Sequence, residues 1–122
     1  MAENEGNGID RTDQITWNDF QKVELRVGRI VKVEKFPEAK KPAYKLEIDF
    51  GPEIGVKRSS AQITQLYSER ELVGRLVICV INFPVKQIAN FYSECLTTGF
   101  VTERGVVLAM PERDVQLGAK LA

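Results

Sequence analysis

At 122 residues the chain is sized for one domain, long enough to bury about two thirds of the surface its unfolded form exposes. Its 43% hydrophobic and 28% charged residues are ordinary for a globular protein, and no apolar run nears the ~20 residues that cross a bilayer, so membrane insertion is not expected. The 17 basic and 17 acidic residues cancel, which disfavours capture of nucleic acid by bulk charge, and the absence of histidine removes the commonest general acid/base and metal ligand. Neither an enzyme nor a bound cofactor or metal is expected.

Residues 1–14, "MAENEGNGIDRTDQ", are polar, acidic and without apolar periodicity, which predicts a disordered tail ahead of a folded domain at 15–122. The tail has neither the basic start nor the apolar core of an export signal, so a cytoplasmic location is expected. Residues 1–15 hold Glu3, Glu5, Asp10 and Asp13 against Arg11, leaving the rest mildly basic.

"TWNDFQKV" predicts a short helix, with Thr16 as N-cap, Asp19 in the first turn, and Trp17 and Phe20 on one face. "VELRVGRIVKVEKF" alternates at period two and predicts a long first strand that bends at Gly28 to fit a small domain. After "PEAKKPA", "YKLEIDF" puts Tyr44, Leu46, Ile48 and Phe50 on one face and Lys45, Glu47 and Asp49 on the other. "GPE" turns into a partner strand, "IGVKRS", and "SAQITQLY" then shifts to helical spacing with Ser60 as N-cap. "LVICVI" is unbroken and β-branched, the pattern of a strand covered on both sides. "NFPVKQIANFYSECLTTGF" is too irregular for one helix or strand and reads as a loop, and "TERG" joins "ECLTTGFV" to "VVLAM" as a last hairpin.

About six strands without βαβ alternation make the chain mainly β. A long first strand, a hairpin, a helix between strands three and four and two further strands is the order of an OB-fold Greek-key barrel. Cys79 and Cys95 form no CxxC motif and have no histidine to complete a metal site, so they read as buried free thiols.

Three stretches, "FQKVELRVGRIVKVEKFPEAKKPAYKLEIDFG", "KRSSAQITQLY" and "VINFPVKQIANFYSECLTTGF", resemble the tRNA-binding domain superfamily, with "ELRVG" and "YSECL" in the places of its strand and loop motifs. Within it, "FPEAKKPAYKLEIDFG" combined with "SSAQIT" and "NFP" resembles the CsaA family. That resemblance implies an OB-fold homodimer, a chaperone linked to protein secretion that binds unfolded polypeptides and the secretion machinery on a scaffold related to tRNA binders. Two departures concern the RNA site: Cys95 replaces a glycine, and the preceding loop carries Lys86 alone, with Gln87 and Asn90 where basic residues are expected.

OB-folds bind along strands two and three, between the loop joining strands one and two and that joining four and five. The outward residues there would be Lys45, Glu47 and Asp49, with Lys57 and Ser59 on the partner strand, and the two carboxylates repel phosphate. Phe83, Phe91 and Tyr92 could stack on bases, contact apolar peptide side chains, or cap the barrel end. Gln62, Asn82, Gln87 and Asn90 carry the uncharged donors and acceptors that hold an extended backbone, or they serve the loop itself. Lys57, Arg58, Ser59 and Ser60 make a basic patch with hydroxyls suited to phosphate or carboxylate, without the oxyanion arrangement a Ser-Lys pair needs. Ser93 and Glu94 complete the candidate peptide- or RNA-binding set at the far stem of the loop. Trp17, Phe20, Leu117 and Leu121 are the candidate dimer interface, because so small a barrel has little core to absorb large apolar residues near both chain ends. The alternative function is an RNA-binding module using Lys57, Arg58, Lys86 and the lysines of "PEAKKPA", with tRNA as ligand.

Overall fold

The computed structural model describes residues 13–122, so the expected tail lies almost wholly outside the described residues. Helix α1 (Trp17–Gln21) begins at a full capping box. The Thr16 hydroxyl accepts from the Asp19 amide at 3.0 Å, and the Asp19 carboxylate accepts from the Thr16 amide at 3.0 Å. Strand β1 (Leu25–Lys35) is long and irregular as expected, but its register against the next strand slips between Ile30 and Lys32. The strand therefore carries a bulge at Val31. Gly28 makes room for the core. A Cβ there would lie 2.5 Å from Ile48 Cγ2 and 2.7 Å from Phe50 Cε1, so core side chains occupy the space a side chain would fill.

The remaining elements are β2 (Tyr44–Asp49), β3 (Val56–Ala61), α2 (Glu69–Leu72), β4 (Leu76–Val80), β5 (Lys86–Ile88), β6 (Phe91–Ser93), β7 (Leu96–Thr97), β8 (Gly99–Thr102) and β9 (Gly105–Leu108). An antiparallel sheet in the order β3-β2-β1-β4-β7 curls into a nearly closed barrel, the expected OB-like topology. Side chains make the closure. The Glu94 carboxylate accepts from the Arg58 amide at 2.8 Å while the Glu94 amide donates to the Arg58 carbonyl at 2.7 Å. The Ser60 amide donates to Ser93 Oγ at 3.1 Å, and Ser59 and Thr97 share a hydroxyl hydrogen bond of 2.9 Å.

The inward residues of β2, Tyr44, Leu46 and Ile48, pack with Phe50, Ile30, Val77, Cys79 and Leu72 in the main core. Each large side chain buried this way contributes roughly 1.5–3 kcal/mol. A second, smaller cluster joins Phe36, Ala43 and Phe91. The C-terminal segment lies along β1: the Gly118 amide donates to the Val27 carbonyl at 2.8 Å, and the Leu121 amide to the Leu25 carbonyl at 2.9 Å. Glu24 fastens it by accepting from Arg26 at 2.8 Å and from Lys120 at 3.2 Å. Those hydrogen bonds, Arg26 first, hold the Glu24 carboxyl below its ordinary value.

Three expectations are corrected. The helix between strands three and four does not start at Ser60; β3 continues to Ala61, and α2 follows Ser68, whose hydroxyl accepts from the Glu71 amide while Glu71 accepts from the Ser68 amide. The stretch read as an irregular loop folds its centre into a β5–β6 hairpin, with Ala89 at a φ of 53° in the turn. The parity of β3 is shifted by one: Leu46 pairs with Ser59 and Ile48 with Lys57, whereas Glu47 pairs with Arg58 and Lys45 with Ser60. Ser59 is thus fully buried, and the outward residues are Val56, Arg58 and Ser60.

Candidate functional site

The stem of β3, the β5–β6 hairpin and the segment from β7 to β9 enclose a groove of about 770 Å³. Alternation along the hairpin decides which residues enter it. Lys86 pairs with Ser93 and Ile88 with Phe91, and Lys86, Ser93 and Ile88 line the groove, while Gln87 and Tyr92 pair on the opposite face. Of the residues singled out in the sequence, Ser60, Gln62, Phe83, Lys86 and Ser93 reach the groove. Ile63, Pro84, Ile88, Leu96, Val101 and Val106 supply most of the remaining wall, and among the described residues Lys86 is the lone charged side chain in the lining.

The other singled-out residues do different things. Asn82 ties the start of the loop to the start of β1, accepting from the Glu24 amide at 3.0 Å and donating to the Lys22 carbonyl at 2.6 Å. Gln87 donates to the Ala89 carbonyl at 3.0 Å within the hairpin, and Asn90 sits exposed in its turn. Glu94 is committed to closing the barrel on Arg58. Phe91 is 6% exposed and belongs to the second core cluster, so it caps the barrel rather than offering a stacking face. Phe83 and Tyr92 are 55% and 49% exposed. Trp17 and Leu121 are exposed near the two ends of the chain, while Phe20 and Leu117 are half-buried.

A second surface gathers cations over aromatic rings. Phe36 and Phe91 meet edge to face at 5.5 Å, with Lys45 Nζ 5.4 Å above Phe36 and the Arg58 guanidinium 4.7 Å above Phe91. Glu47, opposite Arg58 in the register, lies 3.9 Å from Lys32 Nζ instead. Arg58 forms no salt bridge among the described residues.

Both cysteines are free and buried, as expected. Cys79 donates to Thr97 Oγ1 and Cys95 to the Arg58 carbonyl, each at 3.7 Å. The neighbouring Cys95 and burial push the Cys79 thiol far up, so it remains protonated and acts as a small core side chain. Among the described residues no cluster of three or more His, Cys, Asp or Glu could hold a metal ion, and no helix is long and apolar enough to cross a membrane.

Sequence reasoning missed Ile88, Leu96, Val101 and Val106 as groove residues. A signal was present: "GFV" puts two large apolar side chains on consecutive positions, which on a strand turn to opposite faces, and both cannot enter one core.

Residues 25–120 match the family profile described as "Putative tRNA binding domain". The chain is 32% identical over 117 residues to the methionine–tRNA ligase of Pyrococcus furiosus, covering 96% of this chain but 16% of that protein. It therefore spans about a sixth of the ligases it matches. Among solved structures, the CsaA chaperone protein of Picrophilus torridus superposes with a TM-score of 0.86 at 53% identity, covering 89% of this chain and 100% of that one. Chaperone CsaA of Bacillus anthracis gives 0.84 at 43% identity, covering 89% and 99%. A MetRS-related protein of Pyrococcus horikoshii gives 0.79 at 28% identity, covering 90% and 99%. A barrel of this topology, a match over most of its length to the tRNA-binding domain profile and full-length agreement with two CsaA structures place this chain in the CsaA family of the tRNA-binding domain superfamily.

Proposed function

We propose that this protein is a non-enzymatic chaperone that holds unfolded or secretory polypeptides in the groove beside β5–β6, in the cytoplasm and in the service of protein export. The observation that carries the reading is the groove's lining among the described residues: apolar walls, a few hydroxyls and one lysine, with no carboxylate. Such a surface gains from apolar side chains through area buried and leaves an extended backbone free to find hydrogen bonds. Trp17, Phe20, Leu117 and Leu121 would pair two copies across a two-fold axis, aligning two grooves for one long ligand. The 53% identity to a CsaA chaperone across that protein's whole length supports the same reading.

A second reading, tRNA binding, is favoured by the Lys45 and Arg58 cations over Phe36 and Phe91 and by the ligase domains the chain resembles. Salt separates the two. Polypeptide held by apolar contact keeps its affinity between low and physiological salt, whereas tRNA held through several phosphates loses orders of magnitude. Equilibrium binding of a permanently unfolded protein and of tRNA, each followed across that range, tests the proposal. Loss of the unfolded protein at physiological salt, with tRNA retained, would reject it.

A further inference from the structure

Cys79 and Cys95 are neighbours in the main core, both as free thiols. Cys79 lies on β4 opposite Thr97 of β7, and Cys95 stands two residues before Thr97, in the bend that leads into β7. The same two hydroxyls attend both. The Cys79 thiol donates to Thr97 Oγ1 at 3.7 Å, Thr97 Oγ1 lies 2.9 Å from Ser59 Oγ, and the Ser59 side chain hydrogen-bonds the Cys95 sulfur. The surroundings of the two sulfurs differ. Cys79 is sealed from solvent, whereas Cys95 and Thr97 line the groove. The Cys79 thiol first, then the Ser59 hydroxyl and the Lys57 cation, hold the Cys95 thiol below its ordinary value against burial and the Glu94 carboxylate. A shift in that direction favours the reactive thiolate.

We propose that Cys95 is a site of oxidation by a hydroperoxide that enters through the groove, and that Cys79 is the resolving thiol that closes a disulfide with it. The Cys95 thiolate attacks the hydroperoxide, the O–O bond breaks, an alcohol or water leaves, and Cys95 holds a sulfenic acid. The Cys79 sulfur then attacks the Cys95 sulfur, the S–O bond breaks, and the hydroxyl departs with the Cys79 proton as water. The two thiols give up an electron each, and the hydroperoxide takes both. The neighbouring Cys95 thiol is the first cause of the raised Cys79 value, so its conversion frees Cys79 to lose its proton in the second step. The disulfide closes at its base the loop that carries the β5–β6 hairpin, and so constrains one wall of the groove.

The test treats the purified protein with hydrogen peroxide, blocks the remaining thiols, and reads the intact mass and the tryptic peptides without reductant. Lys86 lies between the two cysteines, so trypsin separates them unless a disulfide joins them. The expected product has lost two hydrogens, yields the Cys79 and Cys95 peptides as one linked species, and returns to free thiols with dithiothreitol. Cys79→Ala should stop at an oxygen adduct on Cys95, and Cys95→Ala should slow the oxidation of Cys79 roughly tenfold or more. A thermal melt checks that both variants fold, and the linked peptide from the native sequence stands without them. Entry through the groove is read from the rate: a bound, permanently unfolded protein should slow the loss of thiols in proportion to the fraction bound. That arm alone rests on the polypeptide-binding reading. Two free thiols after peroxide, or a disulfide joining two copies on a non-reducing gel, would overturn the proposal. An unchanged rate with the unfolded protein bound would overturn entry through the groove. Failure of the unfolded protein to bind would reject the polypeptide reading, and the linked peptide would still decide the oxidation.

Discussion

The guanidinium of Arg58 sits 4.7 Å above the ring of Phe91, and that contact closes the outer side of a cluster whose inner side is Phe36 and Ala43. A residue at the centre of the irregular stretch is therefore core. Phe91→Ala should cost about 3–5 kcal/mol of stability by urea unfolding, the range for removing a buried phenylalanine. Arg58→Ala loses a cation–π contact and should cost about 1 kcal/mol.

Gly28 makes a steric prediction of opposite sense. The methyl of Gly28→Ala would press on Ile48 and Phe50 at 2.5–2.8 Å, and overpacking of this kind costs about 1–3 kcal/mol. A fall in the urea midpoint with an unchanged m-value is the expected result.

Much of the fold was legible because period-two alternation is unambiguous where one face is buried: Tyr44, Leu46, Ile48 and Phe50 all point inward as the pattern requires. The α2 position was not, although "SERE" carries the Ser-x-x-Glu spacing of a capping box at Ser68 and Glu71. Ile63, Leu66 and Tyr67 imitate helical spacing in a turn, and Tyr67 is placed instead by a hydrogen bond from Tyr44 to its carbonyl. The parity of β3 was illegible because "VKRSSA" is mostly polar, so no apolar face announces itself; the register buries Ser59 opposite Leu46, and Thr97, far along the chain, answers its hydroxyl. Ser93 and Glu94 look like ligand-binding residues in the sequence, but their polar groups close the barrel, with Ser93 also facing the groove.

Acid should loosen the two carboxylate clamps. Glu71 lies below its ordinary value of 4.5 because it accepts from the Ser68 amide, with the Ser68 side chain adding to the effect, and Glu24 because it accepts from Arg26 and Lys120. A lowered folded-state pKa gives stability that is complete above about pH 4.5 and is lost as pH falls through the lowered value. The urea midpoint should therefore be flat with respect to these groups at neutral pH and fall in the acid range. Glu71→Gln should shrink that fall by removing one of the two groups.

Phe83 is half-exposed on the groove wall, so Phe83→Ala should leave the melting temperature almost unchanged while weakening an unfolded polypeptide by roughly five- to thirtyfold, equivalent to about 1–2 kcal/mol. Tyr92→Ala, on the other face of the same hairpin, should leave that affinity unaltered.

The most direct measurement is a competition at physiological salt between a labelled, permanently unfolded protein and unlabelled tRNA, on the native protein and on Phe83→Asp. A chaperone groove predicts that the unfolded protein binds the native form, that tRNA fails to displace it, and that Phe83→Asp releases it by placing a carboxylate in the apolar wall. Full displacement by tRNA, with unfolded-protein affinity unchanged in Phe83→Asp, would contradict it.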